Sequence, residues 1–331
     1  MGPTPFHIRP ATSADGARVA EMCAALSVAE GNGVQPRLTA ADFCRDGFGP
    51  APAFACLIAE SQGKAAGYAL YCRDYDTDHL CRSVYLADLY VETAARGRGI
   101  GRALMAAAAQ AGRARGARLM MWGVLRSNRP ARRFYAAVGE ESGDQIECWV
   151  GGDGFRRLAA SAGSADGLRL RLATAADSPL LARFLAALLA EIGLPQRDDA
   201  AARLRADGFG PDPAFAAVIA ERAGEPVGYA LFWPTYDTET AGRGGWLSDL
   251  YVAPEARGHG VAMRLMVDIA RRTAAAGGSY LVWLVHESNR AARAFYSRFA
   301  EEWHDGLVCV CAGERFAALA DNAAPFSRPP P

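Results

Sequence analysis

The sequence predicts an α/β fold built from two tandem copies of one domain. First, short motifs recur 161 positions apart: Arg96-Gly97-Arg98-Gly99 returns as Arg257-Gly258-His259-Gly260, and Phe134-Tyr135 returns as Phe295-Tyr296. Second, this period has the length of a whole domain and not of a solenoid repeat. Third, each half begins with strand-like apolar segments and continues with a strand, a Gly-rich loop, a helix, a strand and a second helix.

The elements of the first half follow from hydrophobic periodicity and turn residues. Gln62-Gly63 separates two apolar runs of strand length, which indicates a hairpin, and Ser13 is predicted to cap the first helix. The Ala-rich segment after the Gly-rich loop predicts a long helix. The predicted strands are 6–9, 53–60, 64–73, 83–92, 118–124 and 145–150, and the predicted helices are 13–30, 98–115 and 128–138.

The repeat also sets the predicted domain boundaries. A first domain is predicted at 1–160 and a second at 167–320, because the order of elements recurs over the second range. The small and polar segment 161–166 is typical of a linker. The end of the chain, 321–331, is predicted to be a disordered tail because it finishes in a Pro-rich stretch.

Length, charge and cysteine usage limit the classes of function. The chain of 331 residues can form two domains with separate cores, and its 36 basic residues balance its 36 acidic residues. A chain without net positive charge is not expected to bind nucleic acid through phosphates. Eight scattered cysteines without a CxxC pair indicate reduced core thiols, and no segment resembles a signal peptide or a membrane span. We therefore expect a cytoplasmic protein without a metal ion or a membrane partner.

A Gly-rich loop lies between a predicted strand and a predicted helix in each half, at 96–101 and 257–262. The amides of a helix's first turn have no partner within the helix, and the helix dipole makes this end positive. Glycines let the backbone approach a diphosphate closely. No Gly-Lys-Ser/Thr follows the loop, and the loop does not follow the first strand of its half, which excludes a Walker loop and a Rossmann fingerprint.

The context of the loop carries a family resemblance. The strand before it reads Leu86-Ala-Asp-Leu-Tyr-Val91 in one half and Leu247-Ser-Asp-Leu-Tyr-Val252 in the other. Strand, Arg-x-x-Gly-x-Gly/Ala loop and following helix resemble the acetyl-CoA site of the GNAT N-acetyltransferases. The resemblance implies two GNAT domains, each a mixed and mostly antiparallel sheet flanked by helices, with acetyl-CoA as donor. The positions that match the coenzyme site are Leu89, Val91, Arg96, Gly97, Arg98, Gly99, Ile100, Gly101 and Asn128, then Leu250, Val252, Arg257, Gly258, His259, Gly260, Val261, Ala262 and Asn289.

Further motifs resemble the diamine (spermidine/spermine) acetyltransferase branch of that family. Because that branch forms homodimers, the resemblance implies a pseudo-dimer within one chain, which is compatible with a monomer. The motifs are Asp46-Gly-Phe-Gly49, Tyr75-Asp76 and Leu86-Ala-Asp88 in the first half and Asp207-Gly-Phe-Gly210, Tyr236-Asp237 and Leu247-Ser-Asp249 in the second.

The resemblance also assigns roles on the helix after the loop. Tyr135 and Tyr296 match the family's general acid, which returns a proton to the sulfur of coenzyme A; a core tyrosine is the alternative. Asn128 and Asn289 either cap that helix or contact the coenzyme, and the serine before each is an alternative cap.

The acceptor end departs from the branch. Ala87 and Ser248 stand where the branch has a Glu that helps to deprotonate the amine, so Asp88 and Asp249, the acidic residues that remain on that strand, are the catalytic candidates there. Recurring carboxylates elsewhere indicate a cationic amine substrate. The candidate contacts are Glu30, Asp76, Glu191 and Asp237.

The residues and the resemblance together imply an acetyl-CoA-dependent N-acetyltransferase. Its acceptor would be a small primary amine, diamine-like or amino-acid-like, acetylated by direct transfer in a ternary complex. Three alternatives stay open. One is a sensor that binds acyl-CoA without turnover, which the missing Glu favours, and another is a protein N-acetyltransferase, which needs an open groove for a peptide. In the third, one half is catalytic and the other is a scaffold. Both halves keep the loop and the tyrosine, so both are expected to bind the donor.

Overall fold

The computed structural model describes residues 5–31, 35–162 and 167–323. Its strands are β1 Phe6–Pro10, β2 Ala55–Ser61, β3 Lys64–Asp76, β4 Cys81–Val91, β5 Leu119–Leu125, β6 Glu140–Ser142, β7 Gln145–Gly151, β8 Leu168–Leu172, β9 Ala216–Arg222, β10 Glu225–Asp237, β11 Gly242–Val252, β12 Tyr280–His286, β13 Glu301–Trp303 and β14 Gly306–Ala312. Its α-helices are α1 Gly16–Glu30, α2 Ala40–Phe48, α3 Ile100–Ala114, α4 Arg129–Tyr135, α5 Gly152–Ala160, α6 Ser178–Glu191, α7 Ala200–Gly208, α8 Val261–Ala275, α9 Arg290–Tyr296 and α10 Gly313–Asp321.

The strands form two sheets of seven strands. The first sheet has the order β1-β2-β3-β4-β5-β14-β6, and the second has the order β13-β7-β12-β11-β10-β9-β8. One central pair in each sheet is parallel, β4 with β5 and β11 with β12, and the other pairs are antiparallel. This confirms the predicted fold class, in which two tandem α/β domains carry mixed and mostly antiparallel sheets.

Each half contributes one strand to the sheet of the other half. β14 lies between β5 and β6, and β7 lies between β12 and β13. The helix after each exchanged strand goes with it, so that α5 packs against α8 and α10 packs against α3. In the sequence, the first copy of the repeat ends near residue 160. In the structure, the exchanged segments begin earlier, at Gln145 in the first copy and at Gly306 in the second. Residues 163–166 of the predicted linker and 324–331 of the predicted tail lie outside the described ranges.

Equivalent contacts relate the two halves by a pseudo-twofold axis. Nε of Arg243 lies 2.8 Å from a carboxylate oxygen of Asp46, and the equivalent pair, Arg82 and Asp207, lies 3.2 Å apart. Two aromatic pairs cross between the halves in the same way, with ring centroids 4.7 and 4.8 Å apart; they are Phe54 with Tyr236, and Tyr75 with Phe215. The predicted pseudo-dimer within one chain is confirmed by this arrangement.

Several local features differ from the sequence predictions, which also do not include β6 and α5. Thr12, and not Ser13, caps the first helical segment, because the amide and hydroxyl of Thr12 both donate to the Asp15 carboxylate, and a 3-10 turn then precedes α1. The sequence does not predict α2, whose nine residues include Gly47. This short helix begins with its own capping box and buries Phe43 against the core.

Candidate active sites

β4 and β5 separate beside a bulge in β4. Their parallel pairing ends at Leu86 opposite Trp122, and the pairing of β4 with β3 shifts by one residue at Ala87. β4 then continues along β3 to Val91, paired on that side only, so a gap opens towards β5. The second half repeats this geometry with a bulge at Ser248. The predicted backbone contacts for the coenzyme lie in these one-sided stretches: Leu89, Val91, Leu250 and Val252.

The predicted diphosphate loops have matching backbone conformations. Gly97 and Gly99 have φ angles of 76° and 83°, and Gly258 and Gly260 have φ angles of 76° and 77°, which residues with a side chain rarely adopt. α3 and α8 begin directly after the second glycine. The unpaired amides of the first helical turn and the positive helix end therefore lie at the loop, and they fit an anionic diphosphate.

Arginine side chains tie each loop to the strand that precedes it. Nε of Arg96 donates to the carbonyl of Val91 at 2.9 Å, and Arg257 makes the same bond to Val252. Nδ1 of His259 lies 2.8 Å from the carbonyl of Arg257. The side chains of these predicted coenzyme-binding residues therefore stabilise the conformation of the loop.

The other loop residues divide between backbone and side-chain roles. Ile100 and Val261 are buried, and their side chains belong to the hydrophobic cores of their halves. A Cβ on Gly101 would lie 3.3 Å from the ring of the phenylalanine in α4, whereas Ala262 occupies the equivalent position of the second half. Nη2 of Arg98 lies 3.3 Å from the hydroxyl at the end of β2.

The predicted helix-capping asparagines act as caps in the structure. Oδ1 of Asn128 accepts the amide hydrogen bond of Ala131 at 3.2 Å, and Oδ1 of Asn289 accepts that of Ala292 at 3.1 Å. The asparagines, and not the preceding serines, therefore begin α4 and α9.

Tyr135 and Tyr296 end these two helices and pack against tryptophans of the neighbouring strands. The ring centroids of Tyr135 and Trp122 lie 5.1 Å apart, and those of Tyr296 and Trp283 lie 4.8 Å apart. Burial raises the pKa of both hydroxyls, and nearby carboxylates contribute to raising the pKa of Tyr135. Both hydroxyls therefore hold their protons at neutral pH.

Asp88 and Asp249 are buried where the two halves meet. Asp88 accepts a hydrogen bond from Tyr68 of β3 at 2.7 Å and another from Thr238, in the β10–β11 connection, at 2.9 Å. Asp249 accepts the equivalent bonds, at 2.7 Å from the β10 tyrosine and at 2.8 Å from Thr77. Burial raises the pKa of Asp88 to about 6 and raises that of Asp249 as well. A threonine of each half thus donates a hydrogen bond to the buried aspartate of the other half.

A cavity of about 620 Å³ lies at the gap between β4 and β5. Its walls come from α1, β4, β5 and α4 on one side and from β7, β10, β11, β12, β13 and the β10–β11 connection on the other. Among the described residues that line it, none is Lys, Arg or His. Seven are carboxylates from both halves of the sequence: Glu30, Asp88, Glu147, Asp237, Glu239, Glu301 and Glu302.

The carboxylates in this cavity are crowded enough to influence each other. Burial raises the pKa of Glu30 to about 7, with a further contribution from the charges of Asp88 and Glu239. Burial likewise raises the pKa of Glu147 to about 7, and Glu239 contributes there too. A cation that entered the cavity would relieve this repulsion and stabilise the ionised carboxylates.

One predicted acceptor residue lines the cavity of the other half, and two others form contacts within their own halves. Asp237 lies in the second half of the sequence but lines the first-half cavity together with Glu30. Glu191, the equivalent of Glu30, forms an ion pair with Arg257 of the second donor loop. Asp76, the equivalent of Asp237, lies 2.9 Å from Nδ1 of a histidine in its own connection.

The described ranges hold neither a metal-binding group of side chains nor a membrane-spanning helix. No group of three or more His, Cys, Asp or Glu side chains there could hold a metal ion. No helix in that part of the chain has the length and apolarity needed to cross a bilayer. Cys23 lines the cavity, but burial raises the pKa of its thiol, so it is protonated and a poor nucleophile.

The model of the acetyltransferase (GNAT) family matches residues 21–139 and 183–300, which is one match in each half. The chain belongs to the GNAT family. It is therefore an N-acetyltransferase, as the sequence predicts, and GNAT enzymes use acetyl-CoA as the acyl donor.

Several known proteins are similar to this GNAT enzyme. A thialysine N-epsilon-acetyltransferase from Mus musculus is 32% identical over 165 residues, 46% of this chain and 96% of that protein. The same enzyme from Sus scrofa is 37% identical over 116 residues, 30% of this chain and 68% of that protein. A spermidine/spermine N(1)-acetyltransferase-like protein 1 from Homo sapiens is 32% identical over 44% of this chain and 22% of that protein. A tandem GNAT protein from the clavulanic acid biosynthesis pathway shares the fold with a TM-score of 0.51 and 16% identity, covering 93% of this chain and 98% of that one.

Some cavity residues of this GNAT enzyme come from the second sheet and from the β10–β11 connection, and the sequence does not predict them. Glu147 and Trp149 belong to the exchanged strand β7, and Glu239 belongs to the β10–β11 connection. The alternation of residues in β7 gives one indication. Ile146 and Cys148 are buried on one face of the strand, so the side chain of Glu147 lies on the opposite face. The sequence does not say which sheet receives that strand.

Proposed function

We propose that the protein transfers an acetyl group from acetyl-CoA to a primary amine of a small cationic molecule, diamine-like or amino-acid-like, in a ternary complex. The acidic cavity beside the donor loop carries this proposal, since seven carboxylates and no cationic side chain line it among the described residues. The names of the thialysine and spermidine/spermine enzymes, which are similar to this chain, point to the same class of acceptor.

The donor would be held mainly by backbone groups. The amides at the start of α3 and α8 would bind the diphosphate, and the one-sided stretch of β4 that ends at Val91 would pair with the extended arm of the coenzyme. The donor supplies an acetyl group activated as a thioester. An amide of the same stretch is suited to stabilise negative charge on the thioester oxygen.

The acceptor amine must lose a proton before it can react. An alkylamine has a pKa near 10.4, so holding it neutral at pH 7 costs on the order of 4–5 kcal/mol. Glu30 and Glu147 have pKa values raised to about 7, which suits a group that takes up a proton near neutral pH. We assign the uptake of this proton to Glu30, because its charge also raises the pKa of Tyr135, the residue that would protonate the departing sulfur.

Tyr135 would return a proton to the departing sulfur. Its hydroxyl is protonated at neutral pH because burial and the neighbouring carboxylates raise its pKa. No covalent intermediate on the protein is proposed, because the one cysteine of the described cavity lining, Cys23, has a thiol pKa that is raised by burial.

Thiol release from acetyl-CoA tests this proposal with a panel of diamines, amino acids and N-terminal peptides. We expect release with small cationic amines, and a large loss of turnover in the Tyr135→Phe, Tyr296→Phe double variant with coenzyme A affinity retained. Coenzyme A binding without release against the whole panel would indicate a sensor instead. Release with peptides alone would indicate a protein N-acetyltransferase.

A further inference from the structure

The two halves differ at the acceptor end although their donor loops match. We infer that only the first-half site admits a cationic amine, and that the second half binds the donor beside an acceptor end filled by apolar side chains. This inference rests on the proposed function, because it names which of the two sites performs it.

Four positions carry the difference. In the first half they are small or polar and line the cavity: Cys23, Ser27, Gly123 and Glu147. The equivalent positions, 161 residues later, are Phe184, Leu188, Leu284 and Val308. All four of these belong to one apolar cluster or pack against it. The replacement fills the space and removes one carboxylate.

Phe184 occupies the centre of this change. It is 8% exposed, and its ring lies parallel to that of Tyr229 with centroids 5.8 Å apart. Its centroid also lies 5.5 Å from that of Tyr251. Because the Tyr229 hydroxyl donates to Asp249, the apolar ring lies beside the tyrosine that holds the strand carboxylate.

The charges of the second site are also arranged differently. Glu191 pairs with Arg257 of the donor loop, and Asp76 lies 2.9 Å from Nδ1 of His79. In the first half, Glu30 and Asp88 are close enough to contribute to the raised pKa of Tyr135. Burial and Cys148 alone raise the pKa of Tyr296, without any carboxylate of the described chain. Carboxylates are still present in this region, because burial and the charges of Asp76 and Asp249 raise the pKa of Asp78 to about 6, so the apolar side chains and the loss of the Glu147 equivalent carry the difference.

Calorimetry on the full chain tests the inference by stoichiometry. Coenzyme A is titrated first, and 1,4-diaminobutane is then titrated into the saturated protein. We expect two coenzyme A molecules and one diamine per chain. Two diamines per chain would overturn the inference and leave the proposed function intact, and one coenzyme A per chain would overturn the second donor site. One bound diamine without acetylation would overturn the proposed function alone, and no bound diamine would overturn both.

A matched pair of variants locates the acceptor. A Cβ added at Gly123 meets nothing within 4 Å, so that Gly123→Leu copies the second half into the first without a backbone clash. We expect its kcat/KM for the diamine to fall by about 20-fold or more with coenzyme A affinity unchanged. Leu188→Ser copies the first half into the second at a position outside the described lining of the first-half cavity, and it should leave that kcat/KM within about twofold of wild type. Equal losses in both variants, or no loss in Gly123→Leu, would overturn the inference, and Gly123→Ala provides a smaller step should the larger one unfold.

Discussion

Replacing Glu147 with Gln removes one charge from the first-half cavity and keeps the shape of the side chain. Glu147 lies on β7 and feels the charges of Asp237 and Glu239, so all three carboxylates face the same space. A hydrogen bond between a charged amine and a carboxylate contributes about 1.5–3 kcal/mol. Its loss should therefore lower kcat/KM for a diamine by roughly 10- to 150-fold.

The assay is thiol release at saturating acetyl-CoA with 1,4-diaminobutane, measured for Glu147→Gln and for a control, Glu140→Gln, whose carboxylate is exposed on β6 outside the cavity. The defect should be larger at pH 8 than at pH 6, because the pKa of Glu147 is raised to about 7 and its charge is complete only above that value. A Glu147→Gln enzyme with the kcat/KM of the control at pH 8 would refute the assignment of Glu147 to the acceptor.

Three further outcomes are expected. Tyr135→Phe should lower kcat by roughly 100-fold or more while the Kd for coenzyme A stays unchanged, and a parallel change in both would point to a packing role. The pKa of Glu30 is raised to about 7, so that it can accept a proton only as the pH rises through that value; kcat/KM should climb more steeply from pH 6 to 8 in wild type than in Glu30→Gln, and parallel profiles would contradict its role. Thr238→Val removes one hydrogen bond from the buried Asp88, and Thr77→Val removes the equivalent bond from Asp249. Each variant should lower the free energy of unfolding, measured in urea, by about 1–3 kcal/mol. Unchanged stability in both variants would show that these hydrogen bonds between the halves contribute little.

The donor loops could be predicted from the sequence because their physics is local. Gly97 and Gly99 adopt positive φ angles directly before α3, and this requirement is written in a few consecutive residues. The pseudo-dimer followed from the repeat and the family resemblance. In contrast, α2 has a local signal only at its start, the capping box of Thr39 and Asp42, and its packing depends on the burial of Phe43 against distant residues.

The exchange of strands could not be predicted, for a reason inherent in the repeat. β7 and β14 are equivalent segments with the same alternation of buried and half-buried residues. That alternation fits the position beside β5 and the position beside β12 equally well, so it does not determine which sheet each strand joins. The position of Asp237 could not be predicted for the same reason, because its half of the sequence is not the half whose cavity it lines.

The exchange also explains how the two acceptor ends can differ while the fold stays symmetric. In a homodimer one gene supplies both sites, so a substitution such as Glu147 to Val would appear in both. In a fused chain Glu147 and Val308 vary independently. The bonds from Thr77 and Thr238 to the buried strand carboxylates are kept in both directions, since losing either would leave a buried carboxylate short of a partner. The second half therefore remains necessary to the first site, through Thr238, Asp237 and Glu239, even where its own acceptor end is closed.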